Sequence, residues 1–88
     1  MGVDIMNSIT NIVEFGKGLW EFKLNYKKRL PLVWYQICES FDEKTIKTAM
    51  IMLYKEFDKF NPYNTKDVKN LLFYCKMLKN FKVYEVTE

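Results

Sequence analysis

Residues 20–26 run Trp20-Glu21-Phe22-Lys23-Leu24-Asn25-Tyr26, and their conformation decides the fold class. Trp20, Phe22, Leu24 and Tyr26 alternate strictly with polar residues. That is the period of a strand with one buried face. Leu19, Phe22, Tyr26 and Leu30 also recur at helical spacing. The alternation is the cleaner pattern and its residues are β-formers, so a strand is expected. A lone strand is unstable. The obvious partner is the β-like tail Phe81-Lys82-Val83-Tyr84-Glu85-Val86. Pairing 20–26 with 81–86 makes a short two-stranded antiparallel element on a mainly α domain. The alternative is an all-α bundle.

The flanking sequence is helical. Ile5, Ile9, Ile12 and Val13 form one stripe over residues 4–15, with Asp4 as cap and Gly16 as stop. Pro31 suits the first position of a helix over 31–39, whose inner face carries Trp34, Ile37 and Cys38. Ser40-Phe41-Asp42-Glu43 has the order of a capping box. It opens a third helix that runs to about Phe60, with Ile46, Ala49, Met50, Leu53, Phe57 and Phe60 inward. Asn61-Pro62 is a turn signal, and Thr65 caps a fourth helix with Val68, Leu71, Leu72, Cys75 and Leu78 inward. The link Asn61–Asn64 suits a helix-turn-helix or an αα-hairpin. The element order is therefore compatible with a winged-helix-like domain, on order alone.

The chain has 88 residues, enough for one small domain over 1–88. Hydrophobic residues make up 49%, which looks like more than one core of this size can hide. The third helix is apolar almost all round once Ile51, Met52 and Tyr54 join its core stripe, and homodimerisation is expected on that ground. Apolar runs such as Ala49–Tyr54 are far shorter than the roughly 20 residues of a membrane span. MGVDIMNSIT has neither a basic n-region nor an unbroken apolar core, so no signal peptide is expected and a cytoplasmic location is.

Two cysteines do not make a disulfide scaffold. No histidine is present, which removes the usual general base and the commonest metal ligand. Cys38 and Cys75 then read as small buried hydrophobes. Glu39, Asp42 and Glu43 sit at a helix boundary, where capping explains them better than acid–base work. No glycine-rich phosphate loop is present. No cofactor, metal or small-molecule substrate is expected, and a binding domain fits better than an enzyme.

The net charge of +3 conceals blocks. Residues 17–38 hold five basic groups against Glu21, and 59–82 hold six lysines against Asp67. Of the 14 basic residues only Arg29 is arginine, which with the abundant Asn, Ile, Tyr and Phe suggests a low-GC gene. At 100° per residue, Lys66, Lys69 and Lys76 fall opposite Val68, Leu71 and Cys75, and Asn70, Asn80, Phe73 and Met77 border that face. Lys66, Lys69, Lys76 and Asn70, with Lys27, Lys28 and Arg29, are candidates for nucleic-acid binding. Phe73, Met77, Ile51, Met52 and Tyr54 are candidates for a protein partner. The first expectation is a small nucleic-acid-binding regulator. The second is a protein-binding regulator or inhibitor of the kind viruses, phages and plasmids encode.

Overall fold

The computed structural model describes residues 2–25 and 27–87, with side chains over 5–25 and 27–80. Four helices occur in the order α1 (Gly2–Trp20), α2 (Val33–Ser40), α3 (Glu43–Glu56) and α4 (Thr65–Thr87). Among the described residues no strand forms. The all-α alternative is the correct one. No helix among the described residues is long and apolar enough to cross a membrane.

Both halves of the expected β element are overturned. Trp20 is the last residue of α1, and Glu21–Asn25 runs on without a strand partner. The alternation is real: Phe22 and Leu24 are half-buried against the core while Glu21, Lys23 and Asn25 are exposed. What covers its inner face is a helical core, and what meets its backbone is a tyrosine. Asn25 N–H donates to Tyr63 Oη at 2.8 Å, and Tyr63 O–H donates back to Asn25 O at 2.9 Å. Tyr26 lies outside the described residues. Residues 81–86 continue α4. With no strand to pair with, a helix is what satisfies their backbone groups internally.

Helix α1 overruns its expected stop at Gly16. A Cβ at Gly16 would stand 2.7 Å from Met50 Cε and 3.3 Å from Phe22 Cζ. The glycine is there for close approach to α3, not to end the helix. Termination falls instead to Glu21, whose φ of 56° puts a residue with a side chain in the left-handed region.

Helix α2 starts at Val33, after a turn over Pro31 and Leu32 in which Trp34 N–H donates to Pro31 O. Ser40 does not open α3; it closes α2, and Asp42 is the cap, its Oδ1 accepting from Thr45 N–H at 2.8 Å. Helix α3 ends at Glu56, earlier than expected, because Phe57 adopts an extended backbone.

The link to α4 is therefore Phe57–Asn64, eight residues rather than four. This is too long for the tight turn of a helix-turn-helix, and the winged-helix order fails with it. Asn61 and Asn64 hold the link in shape. Asn61 Oδ1 accepts from Tyr63 N–H, Asn64 Oδ1 from Asp67 N–H, and Asp67 Oδ2 from Asn61 N–H. Asn64, not Thr65, is thus the cap of α4.

Helices α3 and α4 pack most extensively; α1 leans on α2 and α3, and α2 on α4. Among the described residues α1 and α4 do not pack on each other. The core draws Ile9, Ile12 and Val13 from α1, Trp34 and Ile37 from α2, Ile46, Ala49, Met50 and Leu53 from α3, and Val68, Leu71 and Cys75 from α4. Phe60 enters it from the link. Its ring stacks on Trp20 at 4.7 Å and meets Trp34 edge-on at 6.2 Å. Trp34, with no exposed surface, donates its indole N–H to Pro62 O at 2.9 Å. Trp20 donates to Phe57 O at 3.0 Å.

Trp34→Phe keeps a ring but orphans the Pro62 carbonyl. Urea unfolding is expected to show a loss of about 1–3 kcal/mol from that group, with more from the smaller ring. Gly18 has open space where a Cβ would go and lies inside α1. Gly18→Ala is expected to add about 0.5–1 kcal/mol in the same measurement. A helix that stopped at Gly16 would give no such gain.

Candidate functional site

The outer face of α4 carries the expected lysines. Lys66, Lys69 and Lys76 are exposed, and so are Asn70 and Asn80. None of the three lysines makes an ion pair with a described residue, whereas Lys47 is paired with Glu43 at 3.8 Å within α3. Phe73 lies among them, 59% exposed, its ring touching only the neighbouring Tyr74 ring among the described aromatic pairs. Met77 is exposed one turn further on. This face stays open because α3 and α2 cover the opposite side of α4 and α1 lies beyond them.

Lys27, Lys28 and Arg29 are exposed in the loop after Asn25. Two hydrogen bonds tie Asn25 to Tyr63, just before α4, and Lys28 Nζ stands 5.9 Å from the centre of the Tyr63 ring. The fold thus brings the first basic block to the N-terminal end of the helix that carries the second. On α3, Ile51 and Tyr54 are exposed and Met52 is half-buried. Tyr54 is set edge-on against Trp20 at 5.6 Å, which ties it to the end of α1 rather than to the α4 face. The two sets of apolar candidates therefore lie on different helices.

Two concave features escaped the sequence reading. One is a groove of about 580 Å³ along α1, lined by Met6, Ile9, Val13, Leu24, Leu30 and Leu32 among others, with Lys28 and Arg29 at its edge. Leu32 there is 80% exposed, and Tyr35 O–H points to Met6 Sδ at 3.4 Å. The other is a cavity of about 310 Å³ between the end of α2 and α4. Gln36, Ser40, Phe41, Leu72, Lys76, Lys79 and Asn80 line it. Lys79 Nζ lies 5.7 Å from the centre of the Phe41 ring. From sequence, Lys76 and Asn80 belong to the lysine face, Ser40 and Phe41 to a cap and Leu72 to the core. They come together from two helices, a juxtaposition that periodicity within one helix does not encode.

The cysteines are free, Cys75 buried and Cys38 partly so. Burial pushes the Cys38 thiol up to about 11, with the Glu43 carboxylate adding to it. Burial likewise lifts Cys75 to about 12, with Cys38 adding. Both are protonated at neutral pH and poor nucleophiles. Among the described residues no group of three Cys, Asp or Glu is placed to hold a metal ion.

The chain matches no protein-family model, no curated protein and no solved structure. The arrangement of its own residues is what bears on function.

A raised thiol value favours the folded state while the thiol stays protonated. That contribution is complete below about pH 9, where the unfolded thiol titrates, and is lost as pH rises towards 11 and 12. Urea midpoints of the protein should therefore fall between pH 9 and 11 more steeply than those of a Cys38→Ala/Cys75→Ala variant. Equal slopes would refute the assignment.

Proposed function

We propose that this chain is a non-catalytic domain that binds the phosphate backbone of a nucleic acid through the outer face of α4. One observation carries the reading: Lys66, Lys69 and Lys76 stand exposed and unpaired among the described residues on one face of one helix. An ammonium without a carboxylate partner is free to displace counterions from a phosphate chain. Asn70 on the same face adds a side-chain amide, and Phe73 an aromatic surface for a base. The loop Lys27-Lys28-Arg29, held near the start of α4 through Tyr63, extends the positive surface beyond the first turn. Lysine rather than arginine suits backbone contact more than the reading of guanine edges. The binding is accordingly weak in sequence preference and strong in salt dependence. A cytoplasmic regulator is the role this fits.

The exposure of Phe73 and Met77 favours a second reading, a protein partner with these residues as anchors and the lysines as rim. Ile51, Met52 and Tyr54 belong to this reading as the face of a second copy of the chain.

Salt titration of oligonucleotide binding separates the two. Each lysine–phosphate contact should contribute about 0.7–0.9 to the slope of log affinity against log salt. Lys66→Ala/Lys69→Ala/Lys76→Ala should lower that slope by about two to three and weaken binding at low salt. Absence of binding at low salt would overturn the nucleic-acid reading. Phe73→Asp abolishing capture of a protein partner, with the salt slope absent, would establish the second.

A further inference from the structure

The cavity between α2 and α4 is not used by the outer-face contacts. We infer that it receives one unstacked nucleotide of a single strand, with Phe41 as its apolar wall and Lys76 and Lys79 on the phosphate side. This rests on the nucleic-acid reading above and names the form of nucleic acid that the α4 surface takes.

The charge of the lining comes first. Among the described residues it holds two lysines and no carboxylate. Lys79 is stationed against the Phe41 ring at 5.7 Å, so one ammonium is already placed beside an aromatic surface. Lys76 belongs both to this lining and to the outer lysine face, which makes the cavity a side recess of the same positive surface.

The polar groups come second. Gln36, Ser40 and Asn80 line the cavity, and their side chains make no hydrogen bond to a described residue. Two amides and a hydroxyl supply both donors and acceptors. That is the inventory that meets a base edge or a sugar hydroxyl. With Phe41 and Leu72 as the apolar part, the recess pairs an aromatic face with edge-directed polar groups. This is the combination by which proteins hold splayed-out bases.

Size and fold decide between strand forms. A volume of about 310 Å³ lies at the low end of small-ligand sites, enough for one nucleotide and no more. A duplex keeps its bases stacked inside and cannot place one in a recess without flipping it. The eight-residue link before α4 also lacks the tight turn with which a helix-turn-helix presents its second helix to a major groove.

The experiment is fluorescence anisotropy on the full chain at low salt, with a labelled oligothymidylate of about 12 nucleotides and a duplex of equal length. The single strand should bind at least tenfold tighter, roughly the gain from one stacked base. Lys79→Gln and Asn80→Ala, both at exposed positions of α4, should each weaken the single strand about three- to tenfold and the duplex by clearly less. Phe41→Ala should weaken it further. Phe41 packs on the core, so the two α4 variants keep the test valid if that variant does not fold. Equal or tighter duplex binding overturns this inference and leaves the nucleic-acid reading standing. So does a single-strand preference indifferent to Lys79 and Asn80. No binding of either form at low salt ends both.

Discussion

A buried indole N–H must find an acceptor, and in this chain the one it finds organises the fold. Trp34 has no exposed surface, and its donor is met by Pro62 O at 2.9 Å. Leaving that donor unmet would cost about 1–3 kcal/mol, a large share of a small domain's stability. Trp34 belongs to α2, whereas Pro62 belongs to the link between α3 and α4. The bond therefore locks α2 onto the segment that joins the best-packed helix pair. Phe60, between Trp34 and Trp20, extends the lock to the end of α1, and Trp20 adds its own bond to Phe57 O. One link of eight residues thus receives an aromatic from each of the first two helices. Its irregular shape follows from that duty: a continued α3 would hold Phe57 O and Pro62 O in helical hydrogen bonds.

Where α1 is seated decides what α4 exposes. Among the described residues the α1 helix packs on α2 and α3 and not on α4. The molecule is correspondingly thin, 47 × 33 × 20 Å, so many residues have one side in water. Large apolar side chains remain exposed on each helix, among them Met6, Tyr35, Ile51 and Phe73. Lys66, Lys69 and Lys76 make no ion pair with a described residue. The exposed lysine face follows from this layout.

Much of the architecture was legible because helical periodicity is local. The stripes Ile9-Ile12-Val13, Ile46-Ala49-Met50-Leu53 and Val68-Leu71-Cys75 are all buried as their spacing requires. The lysine face of α4 was legible for the same reason. Its exposure is the complement of the buried stripe, and Lys66, Lys69 and Lys76 lie where 100° per residue puts them. Residues 20–26 misled because a period of two reports only that one side is covered. Phe22 and Leu24 meet a helical core, and Asn25 meets Tyr63, so the pattern exists without a sheet. Gly16 misled because the same residue serves as a stop and as a point of close approach. The juxtaposition of Gln36 and Phe41 with Lys79 and Asn80 was not legible, since its walls come from two helices set by long-range packing.

The sequence by itself determined that the domain is mainly helical, most of its core stripes, though not Phe57, which is exposed, and the lysine face of its last helix. These are statements about neighbours within a few turns, where spacing alone fixes geometry. Tertiary structure alone decided where the helices end. A close contact with Met50 carries α1 through Gly16. A tyrosine hydroxyl takes the place of a strand beside Asn25. Two buried or half-buried indoles pull the α3–α4 link out of helix. In each case a distant partner, 28 residues away for Trp34 and Pro62 and 38 for Asn25 and Tyr63, outweighs a local preference of about 1 kcal/mol.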